Sequence, residues 1–219
     1  MVKRKKTKKY YFSVEGETEH WYLKWLQDKI NSTDESAYYV SLDCPVQKNP
    51  LKRVKSMVVT GKTDIWHISD YESDEQIHVN EFKTLMDNMK ASQSLGKQIK
   101  YRLGYSNLTF DLWIAMHKVN CYSAVTHRKN YLKLINQGYG EKFENMAEFK
   151  HEFHFKRCLG KLDLSDVIDA INRAKHIMQR NQENGYILQQ YKGYKYYKEN
   201  PSLMIYEIIE KILKDCNLL

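Results

Sequence analysis

Long apolar runs are missing from this 219-residue chain. No stretch approaches the roughly 20 residues that a membrane-spanning helix needs, and the mean hydropathy of −0.69 also argues against a membrane protein. The basic start has no apolar segment behind it, so no secretory signal is expected and the cytoplasm is the expected compartment. Proline and glycine are scarce, with three and nine residues, which argues against long disordered linkers. Cysteine is scarce too. Cys44, Cys121, Cys158 and Cys216 lie far apart and form no CxxC pair, so buried reduced thiols are expected rather than a structural zinc site. No Walker-type GxxxxGKS or GxxxxGKT occurs, so any ATP-driven step has to come from a partner ATPase.

Charge is present but uneven. Residues 3–9, Lys-Arg-Lys-Lys-Thr-Lys-Lys, hold six of the 35 Lys and Arg residues, and the other 29 nearly balance 27 Asp and Glu. The formal charge of +8 is therefore largely a tail. Such an arm, with Lys5 and Lys6 at its centre, attracts polyphosphate without reading sequence; a solubilising end is the other reading. The 42% hydrophobic content still supports a sizeable core.

From residue 10 to about 105, β-like runs alternate with helix-length segments. Strands are expected over 10–14, 37–42, 64–69 and 98–104. Helices are expected over 17–30, from Pro50 to a cap at Gly61, and over 75–91, with another starting at Ser106-Asn107. Leu51, Val54, Met57 and Val58 are expected on the inner face of the second helix, and Ile77 on that of the third. Alternation of this kind implies βαβ units and a parallel sheet whose ligands sit beyond the strands' carboxyl ends. Beyond about 118 the pattern turns helical, with helices expected over 128–136, 141–150 and 165–182 and a last one opened by Pro201. The reading is a tail over 1–9, a catalytic core over 10–118 and a helical extension over 119–219.

Acidic groups fall where such a sheet would gather them. Glu15 and Glu19 flank the junction of the first strand and helix in Val14-Glu15-Gly16-Glu17-Thr18-Glu19. Asp70, Glu72 and Asp74 follow the third strand. Glu15 and Glu19 lie on one side of a helix start, and Asp70 and Glu72 on one side of an extended segment. Clustered carboxylates repel one another unless a cation compensates them, and Mg²⁺ or Mn²⁺ held by a few carboxylates supports phosphodiester chemistry. Glu17 reads as a helix-start charge. Ser106 and Asn107 serve equally as caps or substrate contacts, and His117 as a core histidine or a site residue. In Tyr191-Lys192-Gly193-Tyr194-Lys195-Tyr196, lysines such as Lys192 and Lys195 can meet phosphates while a ring such as Tyr194 stacks on a base; the alternative is a packing segment with solvated lysines.

The Val14–Glu19 segment resembles the first motif of Toprim domains, and Asp70-Tyr71-Glu72 resembles their DxD motif with Glu in the last place. Ser106-Asn107-Leu108-Thr109-Phe110-Asp111-Leu112-Trp113, with His117 beyond, is similar to the SNPxFELW…H signature of the RloB family, and Asn200-Pro201-Ser202 is similar to its C-terminal element. The resemblance implies a Toprim-like Rossmannoid parallel sheet flanked by helices, with a mostly helical C-terminal extension. It implies a nuclease of DNA or RNA, tRNA included, acting in phage defence or abortive infection. Mg²⁺ or Mn²⁺ would be held by Glu15, Glu19, Asp70, Glu72 and Asp74, with Glu15, Asp70 and Glu72 catalytic and Ser106, Asn107, Asp111 and His117 near the substrate. A non-catalytic nucleic-acid-binding or regulatory subunit and a toxin gated by a partner ATPase are the rival expectations. Asp111 stands where the family has Glu.

Overall fold

Near-continuous apolar runs in the strand segments, such as Tyr10-Tyr11-Phe12 and Ile65-Trp66-His67-Ile68, dictate a sheet buried on both faces. The computed structural model describes residues 5–219. In chain order it contains β1 (Thr7–Val14), α1 (Glu17–Asn31), β2 (Tyr39–Asp43), α2 (Pro50–Ser56), β3 (Thr63–Tyr71), α3 (Gln76–Ser92), β4 (Ile99–Asn107) and α4 (Asp111–Ala115). There follow α5 (Tyr131–Tyr139), α6 (Met146–Lys150), α7 (Glu152–Leu159), α8 (Leu164–Glu183), β5 (Gln189–Tyr191), β6 (Tyr194–Tyr196), β7 (Ser202–Leu203) and α9 (Tyr206–Asp215). The main sheet has the order β2-β1-β3-β4-β7. Its first four strands are parallel, and β7 joins the edge antiparallel to β4. This is the expected α/β architecture, with a C-terminal part that is mostly helical. Among the described residues no helix is long and apolar enough to cross a membrane.

Each face of the sheet has its own core. Phe12, Val14, Trp66 and Ile68 pack with Leu23 and Leu26 of α1, Trp113 of α4 and the C-terminal helices. Ile65, Tyr71, Tyr101, Leu103 and Tyr105 pack with Phe82 and Met86 of α3 and with Tyr194 and Tyr196 of β6. The first core draws on both sides of residue 118, from Phe12 to Cys216. All four cysteines are free and buried.

Several boundaries differ from the sequence reading. Strand β1 begins at Thr7, inside the basic run, because Thr7, Lys8 and Lys9 pair with Tyr39, Val40 and Ser41 of β2. Strand β4 continues to Asn107, held by nine consecutive pairs with β3 that end at Asp70 with Ser106 and Tyr71 with Asn107. Ser106 and Asn107 are therefore sheet residues and not helix caps. Helix α2 stops at Ser56, before Gly61, and Val58 is 88% exposed. Ile77 is 61% exposed and points away from the buried stripe of α3 formed by Val79, Phe82, Leu85, Met86 and Met89. The segment 141–150 is helical only from Met146, and α7 follows it unanticipated. The last helix starts at Tyr206 because Ser202 and Leu203 are taken by the β4 edge.

His117 is a core residue. Its Nδ1 faces the Trp113 carbonyl at 2.8 Å and its Nε2 faces the Tyr22 hydroxyl at 3.2 Å. A carbonyl only accepts, so Nδ1 carries the proton and Nε2 accepts from Tyr22. Burial lowers the imidazole to about 4. The folded state thus binds fewer protons than the unfolded chain between that value and about 6.5. Stability linked to His117 is present above the unfolded value and is lost as pH falls toward 4, by about 3 kcal/mol across the window. Urea unfolding of wild type and His117→Asn at pH 7.5 and 4.5 checks this; the variant should lack that part of the pH slope.

Candidate active site at the carboxyl ends of the strands

Strand order reverses at β1, with β2 on one side and β3 on the other. In an open α/β sheet the crevice beyond the strand ends at such a point is the natural ligand site. The residues placed there are Glu15, directly after β1, Glu19 in the first turn of α1, and Asp70 near the end of β3. Gly16 makes this junction tight, since a Cβ at that position would lie 3.0 Å from Glu19 Oε2.

The three carboxylates have different surroundings. Glu15 keeps 29% of its side chain exposed. Its Oε2 accepts from the Asp70 backbone N–H at 3.5 Å, and its Oε1 lies 3.8 Å from His67 Nε2. Glu19 is buried, and the Thr18 hydroxyl donates to its Oε2 at 3.1 Å. Asp70 has a buried Oδ1 with no partner. Burial pushes the Asp70 carboxyl well above the usual range; Glu19, Glu15 and Asp111 add to this, and Lys150 opposes it. Burial likewise raises Glu19, against the pull of its hydrogen bonds and of Lys150.

Asp111, at the start of α4, completes the buried side of the cluster. The Thr109 hydroxyl donates to its Oδ2 at 3.0 Å and Lys150 Nζ lies 2.9 Å away, while its Oδ1 has no partner. Ser106 is buried in register with Asp70, on the same face of the sheet, with an unpartnered hydroxyl. An open pocket of about 590 Å³ lies on the other side, lined by Glu15, Asp70 and Glu72 with Lys48, His78 and Glu81.

The other expected ligands have partners of their own. Glu72 sits at the pocket rim, 3.4 Å from Arg128 Nη1 and 3.7 Å from His78 Nε2. Asp74 accepts from the Tyr71 hydroxyl at 2.6 Å. The Asn107 amide donates to the Lys198 carbonyl at 2.6 Å and ties down that stretch of chain. Among the described residues no three His, Cys, Asp or Glu side chains already converge as a metal-holding group. The donors nevertheless suit a hard divalent cation. They are carboxylate oxygens, and buried oxygens of Asp70 and Asp111 lack any partner. Side chains must close on an ion for it to be held.

The expected nucleic-acid contacts fare unevenly. Tyr194 is buried in the second core and its hydroxyl accepts from Gln93, so its ring has no free face for a base. Lys192 lies 3.4 Å from Asp87, whereas Lys195 and Lys6 are exposed. Lys5 donates to the carbonyls of Thr33 and Asp34. It precedes β1 and Glu15 follows it, which separates them by about 30 Å along the strand, so Lys5 and the acidic cluster cannot share one phosphate.

The sequence reading missed Lys150 and His67. His67 carries a readable signal, an imidazole in the middle of the apolar run Ile65-Trp66-His67-Ile68. It is fully buried, with Nδ1 2.6 Å from the Ser13 hydroxyl and an unpartnered Nε2 toward Glu15. Lys150 has no such signal, because it sits on a five-residue helix outside the sheet.

A family model described as "RloB-like protein" matches residues 10–212 of the chain. No curated protein and no solved structure matches it.

Proposed function

The chain belongs to the RloB-like family, and from that premise we propose that it is a metal-dependent endonuclease acting on DNA or RNA, tRNA included, in phage defence. The observation that carries the reading is the meeting of Glu15, Glu19 and Asp70 at the reversal point of the sheet, with an orphaned Asp70 oxygen. The Toprim-like assignment and the defence setting rest on the motif resemblance.

Glu15, Glu19 and Asp70 would hold Mg²⁺ or Mn²⁺. When bound, such an ion neutralises charge on the phosphoryl group and activates the attacking nucleophile. The chain's own residues prepare that site. Glu15 faces the open pocket and is steadied from behind by the Asp70 N–H and His67. Glu19 lies in a poorly hydrated interior where charge is weakly screened, and Asp70, half-buried at the pocket wall, turns one buried oxygen inward. Arg128 and His78 hold Glu72 at the rim, so Glu72 and its two basic partners meet substrate at the pocket mouth.

Purified protein incubated with DNA and tRNA panels in Mg²⁺ or Mn²⁺ tests the reading. Cleavage is expected, with a loss of at least about a hundredfold in Glu15→Gln. Cleavage that persists in both Glu15→Gln and Asp70→Asn would place the activity elsewhere. Binding without cleavage, unaffected by either change, would favour a non-catalytic binding subunit.

A further inference from the structure

Four carboxylates crowd the site, and one cation from a distant part of the chain reaches them. Lys150 is the last residue of α6, 39 positions after Asp111. Its Nζ lies 2.9 Å from Asp111 Oδ2. Asp111, Asp70 and Glu19 together hold its ammonium charged against the opposing effect of burial. Asp111 is 1% exposed on its side chain, whereas 37% of the Lys150 side chain remains open to solvent. The anion is fixed and the cation has a way out. Two buried oxygens in the same place, Asp111 Oδ1 and Ser106 Oγ, have no partner at all. Lys150 therefore offsets part of the cluster's charge without satisfying its coordination.

We propose that Lys150 is an exchangeable counter-ion of the acidic site: it compensates Asp111, Asp70 and Glu19 when no divalent cation is bound, and an entering divalent cation takes over that role as the ammonium withdraws toward solvent. The inference rests on the metal-site reading above, and the same carboxylates cannot fully serve both cations. Lys150 would thus set how readily the site gives up its metal and would keep the metal-free protein folded.

Thermal melts and Mn²⁺ binding, followed by the electron paramagnetic resonance of free Mn²⁺, test the exchange without any cleavage assay. Lys150→Met should melt lower than wild type in chelator, regain more of its melting temperature on adding Mn²⁺ than wild type gains, and bind Mn²⁺ about tenfold more tightly, because a neighbouring positive charge has gone. Lys150→Arg, which keeps the charge, should behave as wild type. If Lys150→Met proves unfolded, Asp111→Asn is compared with Asp111→Asn/Lys150→Met, where Asp111 no longer needs a partner; the double variant should bind Mn²⁺ more tightly than the single one. Unchanged or weaker Mn²⁺ binding without Lys150 overturns the exchange, as does the absence of Mn²⁺ binding from all variants. Tighter binding in a protein that cleaves nothing overturns the nuclease reading and leaves the exchange standing.

Discussion

Asp70→Asn should make the metal-free protein more stable at neutral pH, by about 1–3 kcal/mol, while removing the response to Mg²⁺ and any cleavage. Asp70 presents a buried oxygen without a partner, and burial, Glu19 and Glu15 all disfavour its charge. The amide keeps the shape and removes the charge. The pH dependence has a definite sign. The folded-state value of Asp70 is raised, so its contribution is fully present below the unfolded value near 3.9 and is lost as pH rises through the raised value. Wild type should therefore lose stability on that rise, and Asp70→Asn should lose less. The gain should be clear at pH 7.5 and vanish near pH 4. Urea unfolding at both values, with and without Mg²⁺, measures it. A variant less stable than wild type at pH 7.5 in chelator would show that Asp70 serves the fold rather than the site. A gain in stability accompanied by loss of function is common for groups held in unfavourable surroundings for chemistry.

Trp113→Ala should cost about 3–5 kcal/mol, the usual range for emptying a large aromatic site in a closed core. The ring is fully buried. It meets Tyr22 edge-on at 6.2 Å and 88°, and His117 at 5.0 Å and 79°. These three aromatics tie α4 to α1, the helix that carries Glu19. Denaturant unfolding measures the loss, and Mn²⁺ binding by the surviving folded fraction should change little. A cost below about 1 kcal/mol would mean that the core reseals around the gap. The tryptophan of the Ser106–Trp113 segment thus acts through packing, and so does His117 beyond it.

The parallel sheet was legible because β1 and β3 read as short apolar runs and α1 as a helical stripe, and because Glu15 and Asp70 stand where those runs stop. Ser106 and Asn107 misled because both are good helix caps by residue type; pairing with β3, a long-range interaction, keeps them in the strand. Tyr194 misled for a similar reason. A tyrosine and lysine alternation reads as a stacking surface, but in a two-residue period the tyrosines share one face, and α3 covers it. Lys150 was beyond reach, since its partners Asp111, Asp70 and Glu19 come from three other elements. The site's acids can be read locally, whereas its compensating base depends on how the helices pack.

The antiparallel strand β7 has a consequence for synthesis on the ribosome. It pairs with Ser106 and Asn107, the last two residues on the outer edge of β4, using residues made about 95 positions later. Tyr10 and Ala37, near the start, are likewise satisfied by Asp215 and Cys216. At ordinary translation rates a nascent chain carries the Ser106–Asn107 end of the β4 edge without its partner for roughly 5–20 s, the kind of edge on which neighbouring chains pair. Slowing elongation after residue 107 should therefore lower the soluble yield, and holding nascent chains apart should restore it.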